Sequence, residues 1–173
     1  PANGGLANAT GANTSSVAGN TCQNQNQPDA STMSYYGANC ESIIVTVADN
    51  PGVTLGAVNA CVTVMPSVPT YNGQPYIARY FDILPQNQGG ATITFYLTHD
   101  DILDYNAAAG SYPQIAGVPA VPANGNTISF MCSQVPQGFL PGAPGGNTVL
   151  HNVTATWSAA LQRWEVPVSV ASF

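Results

Sequence analysis

The chain contains no lysine, and its only basic residues are Arg79 and Arg163. Charged residues make up 6% of its 173 positions, where about a quarter is usual. Two cations cannot neutralise a run of phosphates, which excludes nucleic-acid binding. Nor can they hold the chain on an anionic lipid surface. Long apolar runs are missing too. None approaches the roughly 18 residues of a spanning helix, so no membrane insertion is expected. There is no C-x-x-C, and the histidines are only two, His99 and His151. A structural zinc site therefore lacks ligands. No G-x-S-x-G elbow, H-E-x-x-H helix or phosphate loop occurs. No cofactor, metal or catalytic residue is expected. The opening PANGGLANAT has neither the basic nor the apolar region of a signal peptide. It reads as a mature chain or a segment of a longer one.

What remains is a chain of ordinary apolar content, 45%, wetted by Asn, Gln, Ser, Thr, Gly and Pro. That apolar fraction and modest net charge argue against disorder. A neutral, amide-rich surface resists association less than a charged one, which suits an extracellular or cell-surface setting. The four cysteines, Cys22, Cys40, Cys61 and Cys132, suggest two disulfides in an oxidising compartment. Three connectivities are open; Cys22–Cys40 with Cys61–Cys132 is the favoured one. Asn8, Asn13 and Asn152 match the N-glycosylation sequon, which an Asn- and Thr-rich chain also produces by chance.

Residues 1–40 are small and amide-rich, without periodicity, and read as an N-terminal arm or linker. Residues 41–173 read as one domain. Its strand-like runs are 42–49, 58–66, 76–85, 91–97, 127–135, 148–157 and 163–171. Turn signals such as DNPG, NGQP and QNQGG separate them. Seven short strands at this spacing predict an all-β, immunoglobulin-like β-sandwich.

One stretch breaks the pattern: FYLTHDDILDYNAAAG, Phe95 to Gly110. Three of the eight acids, Asp100, Asp101 and Asp104, gather there beside His99. Thr98 and Asp101 have the spacing of a capping box, and acids suit the first turn of a helix. The spacing predicts one short helix over about 99–109, ended by Gly110. The acids then serve the helix rather than a metal, because calcium needs six to eight oxygens from a loop. A carboxylate pair such as Asp82 and Glu165 is the corresponding hydrolase reading. Trp157, Trp164, Tyr71 and Tyr76 would be core residues or a sugar-stacking platform.

Three segments, PTYNGQPYIARYFDILP, ATITFYLTHDDILDYNAAAG and LQRWEVPVSVASF, resemble a β-sandwich module of large secreted Bacteroidota surface and adhesin-like proteins. In that family the module often lies near a type IX secretion sorting domain. The resemblance covers about residues 60–173. The Tyr-His-Gly ending that often follows the family's counterpart of TISFMCSQVPQG is absent, and residues 1–40 have no counterpart. The resemblance implies an exported, non-catalytic module and transfers no active site. The expectation is a self-associating subunit or repeat of a surface filament, partnered by copies of itself. A carbohydrate-binding module, with glycans as partner, is the alternative. Val17, Met33, Tyr35 and Tyr36 are the expected subunit contacts, because an uncharged arm can lie along a neighbour's unprotected strand edge.

Overall fold

The computed structural model describes residues 17–38, 40–136 and 148–173. Its elements in chain order are β1 (Thr21–Gln27), β2 (Thr32–Tyr36), β3 (Ile43–Asp49), β4 (Gly56–Val64), β5 (Thr70–Tyr71), β6 (Gln74–Pro75), β7 (Arg79–Pro85), β8 (Ala91–Leu97), α1 (His99–Ala108), β9 (Thr127–Gln134), β10 (Val149–Ser158) and β11 (Arg163–Val170). Among the described residues the chain is an all-β sandwich with one short helix. Six strands form one sheet in the order β2-β3-β8-β11-β10-β9, and three form the other in the order β1-β4-β7. The small β5–β6 hairpin stands apart.

Each predicted strand run carries a strand, because β-branched residues alternate there and one face can be buried. Val58, Ala60 and Val62 of β4 face Val45, Val47, Ile93 and Leu97 of the larger sheet within one core. Phe81 of β7 meets Phe95 of β8 at 4.8 Å between ring centroids.

The expected arm is overturned between residues 21 and 36. β1 pairs with β4 along its whole length, and β2 pairs with β3. The reason lies in TCQNQNQ. Its asparagines point to solvent, and Gln23, Gln25 and Gln27 point inward. Gln27 is fully buried. Its amide donates to the carbonyls of Ser31 and Val47 at 3.1 and 2.9 Å and accepts from the Tyr35 hydroxyl at 2.9 Å. Gln25 donates to the Ser34 carbonyl, and Gln23 accepts from the Tyr36 N–H. A seam of glutamines thus joins the edges of the two sheets. Buried amides are tolerated because their bonds are made.

Tyr35 is accordingly a core residue, fully buried within its own chain. Met33 packs on the same core from its edge. Tyr36 forms a second cluster with Ile43 and Tyr96, flanked by Val17 and Cys40. Of the four expected subunit contacts, Tyr35 and Tyr36 are buried within the chain, and Val17 and Met33 are half-buried.

Candidate interaction surface

Helix α1 forms as the spacing predicts. Thr98 Oγ1 accepts from the Asp101 N–H at 3.1 Å, and Asp101 Oδ2 accepts from the Thr98 N–H at 2.7 Å. The same Oδ2 takes Arg79 Nε at 3.1 Å, with both side chains nearly buried. Arg79 also donates to the carbonyl of Ala18. It does not bond Asp82, three residues on along β7, which faces solvent. Asp101 Oδ2 is thereby held by both the cap and Arg79. Asp100 and Asp104 are exposed.

His99 has a different setting. It lies 5.8 Å from Trp157 and 6.2 Å from Trp164, ring centroid to centroid, and those indoles meet edge-on at 5.3 Å. The Trp164 indole N–H donates to His99 Nδ1 at 3.3 Å. His99 Nε2 is buried without a hydrogen-bond partner. Both tryptophans belong to the core, so neither contributes to a sugar platform. Asp82 and Glu165 point outward from the two different sheets, since Phe81 and Val166 beside them point into the core. The sandwich separates that carboxylate pair.

The cysteine pairing is corrected. Cys22 lies opposite Cys61 in the β1–β4 register and bonds to it. Ala60 and Val62 face the core, so Cys61 faces out, where its neighbour on β1 can reach it. Cys132 faces inward from β9 at the far edge of the other sheet. No Cys61–Cys132 bond is geometrically open, and Cys40 and Cys132 are free thiols. Burial pushes the Cys132 thiol above its ordinary range.

The outer face of the six-stranded sheet is a field of hydroxyls. Ser34 bonds Thr46, which bonds Tyr96, at 2.9 and 2.8 Å. Thr92 bonds Ser169 and Ser129 bonds Thr154 across neighbouring strands. At one corner Arg163 lies over the Tyr96 ring at 4.0 Å and pairs with Glu165 at 3.1 Å. The side chains of Arg163 and Arg79 are only 1% and 6% exposed. Both arginines are therefore withdrawn from the surface. Asp29, Glu41, Asp82, Asp100 and Asp104 stay exposed. Asn152 is exposed on β10, one strand in from the edge of this face; Asn8 and Asn13 lie outside the described residues.

Tyr71 and Tyr76, named above with the tryptophans, gather instead with Tyr105 and Tyr112, which the sequence did not point to. Tyr71 and Tyr76 flank the β5–β6 hairpin, and the Tyr112 hydroxyl lies against Gly73 at its turn. Tyr105 reaches from α1 to the Pro113 carbonyl. Burial raises the Tyr76 phenol, and Tyr105, Tyr112 and Tyr71 beside it raise it further. The signal was the sequence NGQP between two tyrosines; the helix partners are distant in sequence and only the fold brings them in.

Asp49 remains. It sits on the inner side of β3 opposite Ala91, and both carboxylate oxygens are buried without a partner. Among the described residues, no three His, Cys, Asp or Glu side chains gather as metal ligands, and no helix is long and apolar enough to cross a membrane. Comparison with protein families, with curated proteins and with solved structures finds no match for the chain.

Proposed function

We propose that the chain is an exported, non-catalytic structural module that joins copies of itself in a cell-surface fibre. The observation that carries this reading is the outer face of the six-stranded sheet, a broad hydroxyl-covered surface with both arginines withdrawn. Such a face can meet another like it without burying an unpaired cation, the costly step in association. The sheet edges lack the lysines that commonly guard against strand addition. The Cys22–Cys61 bond suits an oxidising compartment, and the resemblance to secreted surface modules points the same way. Electron microscopy of the purified chain, with sedimentation velocity over a concentration series, tests it. Filaments or concentration-dependent oligomers are expected. A chain that stays monomeric into the millimolar range would refute the reading.

The tyrosine group favours a second reading, a glycan-binding module. Tyr112 is 37% exposed, and the exposed amides of Asn72 and Gln74 lie in the same hairpin. Ring faces with amide donors suit neutral sugars. Retardation in gels containing neutral polysaccharide, lost in Tyr112→Ala, would favour this reading over the first.

A further inference from the structure

The six-stranded sheet is open along one internal seam. β10 and β11 leave their hairpin as partners over Thr156–Ser158 and Arg163–Glu165 only. Each then keeps a long ladder with its other neighbour. β10 follows β9 over Val149–Thr156, and β11 follows β8 over Trp164–Val170. Had the β10–β11 register continued, Thr154 would face Pro167. Proline has no N–H to give, and within sheets it is confined to edges and bulges. Pro167 lies in a strand flanked on both sides, so β11 behaves as an edge on its β10 side from there on. Beyond it, a cleft of about 430 Å³ opens between Leu150–Val153 and Pro167–Ser169.

No ladder pairing crosses this cleft, so two strand edges face each other with backbone groups to offer. The walls carry no carboxylate, lysine or arginine. Leu150, His151, Asn152 and Ser169 line it alongside Pro167, while Val153 and Val168, each 4% exposed, turn their side chains into the core and leave mainly polar groups to the cleft. Leu150 and Val149 are 57% and 51% exposed, and Met131 on the adjoining β9 is 60% exposed. This is an apolar corner on an otherwise hydroxyl-covered sheet. The flanks are about four residues long, room for a strand of about 13 Å at the usual rise.

We propose that this cleft accepts an extended segment of a second copy of the chain, which adds a short strand between β10 and β11. The proposal rests on the self-association reading and names the place where it occurs. Charge selects the occupant. An uncharged slot gives no purchase to a charged peptide. The chain itself carries charge at only 6% of its positions and keeps both of its arginines inside. Strand addition takes its affinity from main-chain hydrogen bonds and its selectivity from alternate side-chain pockets.

Closing the cleft tests this. In a background of Cys40→Ser and Cys132→Ala, Asn152→Cys with Ser169→Cys places cysteines at positions the extended register sets opposite one another. Oxidation then staples the slot shut. The background chain is expected to assemble in sedimentation velocity. The oxidised staple should associate at least about tenfold more weakly, and reductant should restore it, with the background chain in the same reductant as control. Pro167→Val is the second variant. It returns the missing N–H, so the ladder can close; weaker association together with a higher Tm is expected. A staple that assembles like its background overturns the cleft and leaves self-association standing. If the staple does not form, unchanged association in Pro167→Val overturns it instead. A wild-type chain that never associates overturns both.

Discussion

The two flanks of the sandwich are closed by opposite chemistry. On one, the Gln23, Gln25 and Gln27 side chains reach from β1 to the backbone of β2 and β3. On the other, Trp157, Trp164 and His99 fill the space between β10, β11 and α1 with rings. The ring flank is held by burial, which is non-directional and scales with area. The amide flank gains little from burial as such and depends on every bond being made. The ring flank should therefore forgive a change of chemistry that keeps shape. The amide flank should not.

The largest expected effect is on the ring side. Trp164 is fully buried, and Trp164→Ala should cost about 3–5 kcal/mol, the usual range for emptying an aromatic site. Trp164→Phe should recover more than half of that, since most of the lost volume returns. Urea unfolding followed by far-UV circular dichroism gives both values. If the Phe variant is as unstable as the Ala variant, the indole N–H to His99 matters more than the ring, and the contrast between the flanks collapses.

Next comes Gln27. Removing its amide strands the carbonyl of Val47 and the hydroxyl of Tyr35 in the interior. Gln27→Ala should cost about 2–3 kcal/mol. Gln27→Met keeps the volume and should cost nearly as much, unlike the rescue expected at Trp164. The same seam responds to alkali. Burial raises the Tyr35 phenol well above its ordinary range, and the Asp49 carboxylate raises it further. The fold thus holds the proton more tightly than the unfolded chain, whose tyrosines ionise near pH 10. The stabilisation is complete below about pH 10 and is lost as pH rises from there toward the folded value. Urea midpoints should fall through that window in the wild type and fall less in Tyr35→Phe.

The two flanks also differ in how well they could be read beforehand. Strands such as ATITFYL announce themselves because apolar and polar residues alternate. TCQNQNQ alternates as well, Gln against Asn, but both amides are polar and a hydrophobic pattern cannot tell the buried one from the exposed one. The error in the disulfide follows from this. With β1 unrecognised, nothing suggested that Cys22 would lie opposite Cys61. The helix cap was legible because its geometry is local, from Thr98 to Asp101. The partner of Asp101 was not, since Arg79 is 22 residues away and only the packing of β7 on α1 brings it there. Pro167 was in plain view within RWEVPVSVA, and it marked the interrupted ladder that the strand pattern around it concealed.

The smallest expected effect lies where a charge clamp joins the helix to the smaller sheet. Asp101 Oδ2 receives both the Thr98 N–H and Arg79 Nε. Thr98→Ala removes only the hydroxyl that accepts from the Asp101 N–H, and leaves the clamp intact. It should cost about 1 kcal/mol, the ordinary loss of an N-cap. Thr98→Ser keeps the acceptor and should cost much less. Asp101→Asn should cost more than Thr98→Ala, because it leaves the nearly buried Arg79 without its counter-ion. The order Asp101→Asn, then Thr98→Ala, then Thr98→Ser is the measurable content, read from urea midpoints at constant slope. If Thr98→Ala proves the worst of the three, the helix is held by its cap alone. The Arg79 contact would then be incidental, and the smaller sheet would be tied to the larger by the glutamine seam and hydrophobic core without help from charge.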